Sequence, residues 1–275
     1  MILIAGEERT VDVSSWPQLA KDIYEQKRTS PRTYNYNSIY HLQFEMTLRI
    51  KIVEAADALD QSGVSFATFE KSKCNDQYWK LTDEGGFQLK MAVTPAEGIR
   101  DIFRNGRQYS FECATAIVIV LYKAVLDVIQ DHEFNRLFAN LLLYDWHYDS
   151  DLRLIQEQGS QYSYPGDILY FKNPDVAPET PQWQGENAVK LDDDLYYGHG
   201  IGILPAQGII NRLNQLRRPG SVTSAYMTEQ VVFPDFLYLS QFAPGADRLH
   251  NIALFHFTTG IPSIRVLIGS QRWHA

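Results

Sequence analysis

Cysteine is scarce in this chain, with only Cys74 and Cys113 among 275 residues. Two cysteines cannot form the disulfide framework of a small secreted protein. The chain also lacks a Cys-x-x-Cys pair and a His-rich cluster, which excludes the common zinc patterns. We therefore expect no metal, no cofactor and a reducing compartment.

Basic charge and long apolar runs are also in short supply. The 25 Lys and Arg residues are outnumbered by 33 Asp and Glu residues, which leaves a formal net charge of −8. Nucleic acids and anionic membranes bind basic surfaces, so the charge balance excludes both as main partners. The longest apolar run, from Cys113 to Tyr122, has about half the length that a bilayer requires. The first residues lack a basic leader, and we expect no secretory signal peptide.

What remains is the composition of an ordinary globular protein. Apolar residues make up 45% of the chain and charged residues 21%, values typical of a folded domain. We interpret residues 1–275 as a single domain. Residues 1–36 mix short apolar patches with turns and predict a loosely structured lead-in. Residues from about 231 to 275 predict a β-rich extension packed on the core.

Helical and strand patterns alternate without a regular βαβ rhythm, which indicates the α+β class. Apolar residues at steps of three and four predict a helix from Asn37 to Leu59. Thr94-Pro95-Ala96-Glu97 has the signature of a capping box and predicts a helix start. Glu112 to Ile129 is apolar on nearly every face and predicts a buried helix, although its β-branched residues are also compatible with a strand. Strands are predicted at Val64–Phe69, Tyr78–Leu81, Phe87–Leu89, Leu142–His147, Asp167–Phe171, Asn187–Leu191 and Leu195–Ile201, with a further helix at Ile209–Arg217.

Cys113 is the strongest candidate for chemistry, because it stands at the start of the predicted buried helix. Unpaired N–H groups and the positive end of the helix dipole favour a thiolate at such a position. The same N–H groups can stabilise the oxyanion that forms when a thiolate attacks a carbonyl. The alternative is that Cys113 is a small buried apolar residue. Cys74 lies in a polar loop and is interpreted as an incidental thiol.

A nucleophilic cysteine needs a partner that accepts its proton. Among the seven histidines, His147 lies in a dense polar and aromatic stretch, and His199 lies between Gly198 and Gly200. The strands around Asp192-Asp193-Asp194 predict a tight hairpin. Centred between Asp192 and Asp193, that hairpin would place Glu186 directly opposite His199, with their Cβ atoms about 5 Å apart. A carboxylate–His pair would complete a Cys/His/acid arrangement, although the same pair could simply lie on a solvated hairpin face.

Six stretches in the same order resemble one family of enzymes. They are Phe66–Phe69, Phe111–Ile119, Leu143–Tyr148, Leu169–Pro174, Trp183–Asn187 and His199–Leu204. Over roughly residues 1–230 the chain resembles the spore-coat transglutaminases of spore-forming bacilli, which are protein-glutamine γ-glutamyltransferases. The resemblance implies a papain-like or NlpC/P60-like core, with the nucleophile at the start of a buried helix packed on an antiparallel sheet. The tail beyond about residue 231 has no counterpart in the shorter members, and no function is assigned to it.

The resemblance also implies the roles of individual residues. By motif, the catalytic residues fall on Cys113, Glu186 and His199, with Glu112 as a possible alternative partner of the cysteine. Cys113 would attack the carboxamide of a protein Gln, release ammonia and form a thioester. A Lys amine would then take the acyl group and leave an isopeptide cross-link. Whether Glu186 or His199 is the base stays open.

Hydrolysis of the thioester competes with attack by the amine, so the site must exclude water. Three aromatic residues are candidates for this function. Phe66, Trp146 and Trp183 are expected to line an apolar tunnel for the Lys side chain, while plain core packing is the alternative. The resemblance implies spore coat proteins as Gln and Lys substrates, synthesis in the mother-cell cytoplasm and later residence in the coat. There is no Asp-x-Asp-x-Asp-Gly loop, so we expect no calcium requirement. An NlpC/P60-type amidase and a structural coat protein without turnover are the competing hypotheses.

Overall fold

The structure is a computed structural model and describes residues 1–246. Residue contacts group Met1–Ala243 into one compact unit and Pro244–Ala275 into another; the fold below is that of the first unit. Its helices are α1 (Gln18–Thr29), α2 (Ile39–Gln61), α3 (Pro95–Arg104), α4 (Cys113–Leu126), α5 (Asp131–Leu137), α6 (Ala206–Asn214) and α7 (Phe236–Leu239). Its strands are β1 (Ile2–Ile4), β2 (Glu7–Glu8), β3 (Tyr34–Tyr36), β4 (Ser65–Phe66), β5 (Trp79–Leu81), β6 (Phe87–Leu89), β7 (Ser110–Phe111), β8 (Leu142–Leu143), β9 (Leu154–Gln158), β10 (Ile168–Lys172), β11 (Gly185–Asp192), β12 (Leu195–Gly198), β13 (Gly202–Leu204) and β14 (Tyr226–Pro234). The mixture of helices and largely antiparallel sheets agrees with the α+β class.

A six-stranded antiparallel sheet in the order β13-β12-β11-β10-β14-β9 forms the centre of the unit. Helix α4 packs against β11 of this sheet, and α2 packs against α4. Every residue of α4 except Lys123 is buried. The predicted central helix is thus confirmed, and the alternative that this run forms a strand is wrong. Its continuous apolar surface is buried on all sides, which is why its pattern lacks a single apolar face.

The structure agrees with the sequence signals for the end of helix α2 and the start of helix α3. The Ser38 side chain accepts a hydrogen bond at the start of α2, and Gly63 follows its end with φ +86°. Both hydrogen bonds of the predicted capping box are present between Thr94 and Glu97 at the start of α3. Each signal is local, which explains why the sequence alone reveals it.

The N-terminal region is more ordered than the expected loose lead-in. It contains β1, β2, α1 and β3, and Ile4, Ile23 and Tyr24 are buried in a small core together with Met46 of α2. The expectation failed because this core is assembled from individual residues of β1, α1, β3 and α2, which no one local pattern connects.

A buried ion network ties α1 to the rest of the unit. Glu45 Oε1 lies 2.6 Å from Lys27 Nζ and 2.7 Å from Arg49 Nε, and Arg49 Nη1 lies 2.7 Å from Asp167 Oδ1. Burial opposes ionisation of Glu45, but Lys27 and Arg49 hold its pKa at about 2. Since two buried cations face two buried carboxylates, removing any one of the four leaves an uncompensated charge.

The region after residue 225 differs from the expected extension. Strand β14 lies between β10 and β9 inside the central sheet, so its residues belong to the sheet and not to an addition. Phe236–Leu239 forms helix α7 where a strand was expected, because the Asp235 side chain caps this turn by accepting from the Tyr238 N–H. Residues 247–275 of the predicted β-rich extension lie outside the described residues. Within residues 1–246, no helix combines the length and apolarity needed to cross a membrane.

Candidate active site

Cys113 is the first residue of α4 and is only 3% exposed. Glu112 precedes it as the N-cap: its Oε2 accepts a 2.9 Å hydrogen bond from the Ala114 N–H, and its Oε1 accepts one from the Cys113 Sγ at 3.1 Å. A single carboxylate therefore caps the helix and contacts the thiol. Strand β7 ends at Phe111 and delivers both residues to this position.

Glu186, near the start of β11, is the second acidic residue of the site. It is fully buried, and neither of its carboxyl oxygens has a hydrogen-bond partner among the described residues. Burial raises its pKa well above the ordinary range and the Glu112 carboxylate raises it further, while the His199 backbone N–H and the Cys113 thiol lower it by less. The ionised form of this carboxyl is thus a stronger base than an ordinary Glu carboxylate, and it lies beside a thiol.

The thiol of Cys113 is protonated in this environment. Burial raises its pKa well above the usual range, and Glu186 and Glu112 add to the increase, whereas the Asn187 backbone N–H lowers it. We expected the helix start to favour the thiolate. That expectation was wrong for the resting protein, because burial and two adjacent carboxyl groups outweigh the helix dipole.

The hairpin register differs from the one predicted. Ala188 pairs with Gly198, Val189 with Tyr197 and Lys190 with Tyr196, and the register shifts before Asp192 pairs with Leu195. The expected pairing of Glu186 with His199 is therefore wrong by one residue. The assumed turn centre caused the error. Asp192 pairs with Leu195, so the turn is centred between Asp193 and Asp194, and the register shift before Asp192 removes only part of the difference. A one-residue slip exchanges the two faces of a strand.

The imidazole of His199 consequently does not bond to Glu186. The ring is 4% exposed, its Nδ1 lies 3.0 Å from the Tyr197 hydroxyl, and its Nε2 has no hydrogen-bond partner in the part of the chain that the structure describes. Burial lowers its pKa to about 4, although the backbones of Ser65 and Phe111 oppose this. His199 is therefore neutral at physiological pH, and it acts on Glu186 through its backbone N–H.

Two of the three predicted tunnel aromatics come together. The rings of Phe66 and Trp183 stack with centroids 4.7 Å apart, and Phe66 also lies 6.1 Å from the His199 ring. Gly200 has φ +92°, and a Cβ there would lie 2.8 Å from the Phe66 ring, so this glycine makes room for the aromatic wall. Trp146 is half-buried against the main core and stacks on neither of the other two.

Sequence reasoning missed two residues around His199. The Tyr197 hydroxyl holds Nδ1, and the Phe111 ring lies 5.0 Å from the imidazole. Tyr197 could have been found, because residues two apart on a strand share a face. Phe111 could not, since its contact depends on how β7 and β12 are packed. His147, the other histidine considered, is exposed.

Comparison with known proteins places this architecture. Residues 1–243 match the model of the family described as protein-glutamine gamma-glutamyltransferase. A protein-glutamine gamma-glutamyltransferase of Bacillus pumilus is 46% identical over 244 residues, which are 88% of this chain and 98% of the relative. One of Bacillus cereus is 47% identical over 220 residues, covering 80% of this chain and 79% of the relative.

A solved structure agrees. The transglutaminase from Geobacillus stearothermophilus, without its C-terminal extension, is 54% identical with a TM-score of 0.71, and the match covers 74% of this chain and 97% of that one. The family model and the relatives each cover well over two thirds of the sequence. This chain belongs to the protein-glutamine gamma-glutamyltransferase family.

Proposed function

We propose that this chain transfers the acyl group of a protein glutamine first to Cys113 and then to a lysine amine. The observation that carries the proposal is the placement of one buried thiol between two carboxyl groups, those of Glu112 and Glu186, at the start of a buried helix. A thiol in this position needs only to lose its proton to become a nucleophile.

Glu186 is the group that we propose as proton acceptor. In its ionised form this carboxyl is a stronger base than an ordinary carboxylate and can take the thiol proton, and it has no other hydrogen-bond partner among the described residues. The thiolate then attacks the Gln carboxamide carbon, and the proton passes to the departing ammonia. Glu112 can take the same proton, because its Oε1 already accepts from the thiol. His199 is a positioning residue in this mechanism, since its ring is held by Tyr197 and faces aromatic rings.

Backbone N–H groups are proposed to stabilise the two negative charges of the reaction, on the oxyanion and on the thiolate. The Ala114 N–H is occupied by Glu112, which leaves the Cys113 N–H of the first helical turn for the oxyanion of the tetrahedral intermediate. The Asn187 N–H stabilises the thiolate itself, as its lowering effect on the Cys113 pKa indicates. A helix start packed on an antiparallel sheet is also the basis on which we propose a papain-like, NlpC/P60-like core.

The aromatic wall is proposed to favour amine over water. Phe66 and Trp183 present stacked, half-buried rings next to the site, and Trp146 extends the apolar surface from the main core. Replacing Trp183 or Trp146 with Ala should increase thioester hydrolysis relative to amine transfer, measured as Gln deamidation against amine incorporation. If the ratio of Gln deamidation to amine incorporation were unchanged in both variants, these residues would contribute only to packing.

The direct test of the activity is incorporation of a labelled primary amine into a Gln-containing protein, with ammonia release. Wild type and Cys74→Ser should incorporate the amine, whereas Cys113→Ala should not. None of the proposed steps uses a metal, and within residues 1–246 no three His, Cys, Asp or Glu side chains are grouped to hold one. We therefore propose that the activity persists in a chelator. Absence of incorporation by wild type would overturn the function, and strict calcium dependence would overturn the metal-free mechanism.

Spore coat proteins are the substrates that we propose, on the resemblance noted in the sequence. The enzyme would be made in the mother-cell cytoplasm and then join the coat. A fluorescent fusion expressed in a sporulating bacillus should appear in the mother cell and later surround the spore. Fluorescence confined to the forespore interior or to the medium would contradict this placement.

A further inference from the structure

A cleft of about 560 Å³ opens beside Glu112. Its walls come from three segments, each of which adjoins one of the tunnel aromatics in sequence: the β4 end with Thr68, Phe69 and Glu70, the loop residue Asp145, and Pro181, Gln182 and Gln184 around Trp183. Cys113 and Glu186 do not line it. Glu112 is thus the residue that separates the cleft from the thiol, whose sulfur it contacts at 3.1 Å.

The charged residues that line the cleft are all acidic. Glu70, Glu112 and Asp145 contribute carboxylates, and no Lys, Arg or His lines the walls. None of the three carboxylates forms an ion pair within residues 1–246, in contrast to Glu133, Asp131 or Asp175 elsewhere on the surface. Unpaired carboxylates around a cleft with low-dielectric walls attract a cation.

Asp145 is fixed in its position. It adopts a left-handed backbone conformation with φ +49°, and its N–H donates a 2.9 Å hydrogen bond to Thr115 Oγ1 on α4. The backbone of Asp145 is therefore held relative to the same helix that carries Cys113. Beside the thiol, the Glu186 carboxyl is fully buried and has no hydrogen-bond partner within residues 1–246. Carboxyl groups therefore lie both in the cleft, at Glu70, Glu112 and Asp145, and beside the sulfur, at Glu186.

We infer that this cleft is the entrance of the acyl acceptor and selects a protonated lysine amine, with Glu70 and Asp145 as specificity-determining residues. The inference rests on the proposed function and concerns its second half. A Gln carboxamide is neutral and gains little from such a cleft, whereas a Lys ammonium is the cation that the second half-reaction requires.

The carboxylate of Glu112 gives the cleft a chemical as well as an electrostatic use. The ammonium first loses one proton to Glu112. The amine nitrogen then forms a bond to the thioester carbon, the carbon–sulfur bond breaks, and the second nitrogen proton goes to the departing Cys113 sulfur. Glu112 finally returns its proton to solvent, so an ammonium and a thioester become an amide, a thiol and one released proton.

The double variant Glu70→Gln/Asp145→Asn tests this assignment. Asn tolerates the left-handed backbone of Asp145, and neither change touches Glu112. At low ionic strength, KM for a lysine-containing acceptor peptide should rise about fivefold, and the difference should shrink at high salt because exposed charges are screened. Asp83→Asn/Glu84→Gln makes the same charge change at an exposed turn outside the cleft and should leave KM unchanged.

Hydroxylamine, which is mostly uncharged at neutral pH, separates the two hypotheses. The control Asp83→Asn/Glu84→Gln should form hydroxamate from a Gln substrate and release ammonia as wild type does. Glu70→Gln/Asp145→Asn should lose far less activity with hydroxylamine than with the lysine peptide, because an uncharged acceptor gains little from the carboxylates. Equal KM values for the lysine peptide in wild type and Glu70→Gln/Asp145→Asn would overturn the inference, as would an equal loss with hydroxylamine. Failure of wild type to form hydroxamate or release ammonia would instead overturn the proposed function.

Discussion

The Glu112 carboxylate contacts the Cys113 sulfur at 3.1 Å with one oxygen and caps α4 with the other, accepting from the Ala114 N–H at 2.9 Å. One side chain therefore serves both the stability of the central helix and the chemistry at its first residue. Glu186 differs, because it lies beside the same thiol but its carboxyl oxygens have no hydrogen-bond partner within residues 1–246.

Replacing Glu112 with Ala should lower the free energy of unfolding by about 1 kcal/mol, the usual cost of removing an N-cap side chain. Urea denaturation followed by circular dichroism measures this change. Glu112→Gln is the matched variant, because its amide oxygen can still accept from the Ala114 N–H. If both variants were as stable as wild type, the helix-capping role would be wrong.

Replacing Glu186 with Gln should stabilise the protein, in contrast to the loss of the Glu112 side chain, and should reduce activity to what Glu112 can support as the alternative proton acceptor. A carboxyl whose pKa is raised in the folded state is ionised in the unfolded state at lower pH, so it favours unfolding increasingly as pH rises above its unfolded value. Glu186→Gln should match wild type near pH 4 and become progressively more stable than wild type towards alkaline pH. Denaturation curves at several pH values test this, and a pH-independent difference would contradict the buried, unpartnered state of Glu186.

His199 should make the protein sensitive to acid. Its folded pKa of about 4 lies below the ordinary unfolded value of about 6.5. Stability is therefore complete above the unfolded value and falls as pH decreases towards 4, by roughly 3 kcal/mol from this residue alone. His199→Asn keeps a group near the Tyr197 hydroxyl and should show a correspondingly smaller loss between neutral pH and pH 4. Identical pH profiles would show that the imidazole is not held neutral.

The Cys113 thiol should be alkylated slowly at neutral pH and faster at alkaline pH. In a Cys74→Ser background, the rate of reaction with iodoacetamide should titrate with a midpoint above the ordinary thiol range. Adding Glu186→Gln should lower that midpoint, because one of the two carboxyl groups that raise the thiol pKa is gone. A midpoint below the ordinary range, unchanged by Glu186→Gln, would mean that the helix dipole dominates after all.

The sequence predicts local features of this fold well. The capping box at Thr94, the helix before Gly63 and the buried helix that begins at Cys113 all depend on residues within a few positions of one another. The order of α1 and the insertion of β14 between β10 and β9 depend on distant partners, and neither could be predicted from local pattern.

The candidate site shows the same division. Cys113, Glu112 and Glu186 do lie together, but the argument from hairpin register gave the wrong partner for Glu186. The turn is centred between Asp193 and Asp194, and the register of the two strands differs by one residue from the predicted one. Glu186 at the start of β11 lies beside Cys113 at the start of α4. This contact joins two distant parts of the chain, so the spacing of residues in the sequence could not predict it. Resemblance to a family therefore located this group of residues better than strand geometry did.

The central claim is that Cys113 forms a thioester with a glutamine substrate. Wild-type protein should be mixed with a short Gln-containing peptide in the absence of amine, quenched in acid and measured by intact-mass and peptide mass spectrometry. We predict an adduct equal to the peptide minus ammonia, located on Cys113, absent in Cys113→Ala and discharged by hydroxylamine. An adduct on Cys74, or cross-linking by Cys113→Ala at the wild-type rate, would contradict the account.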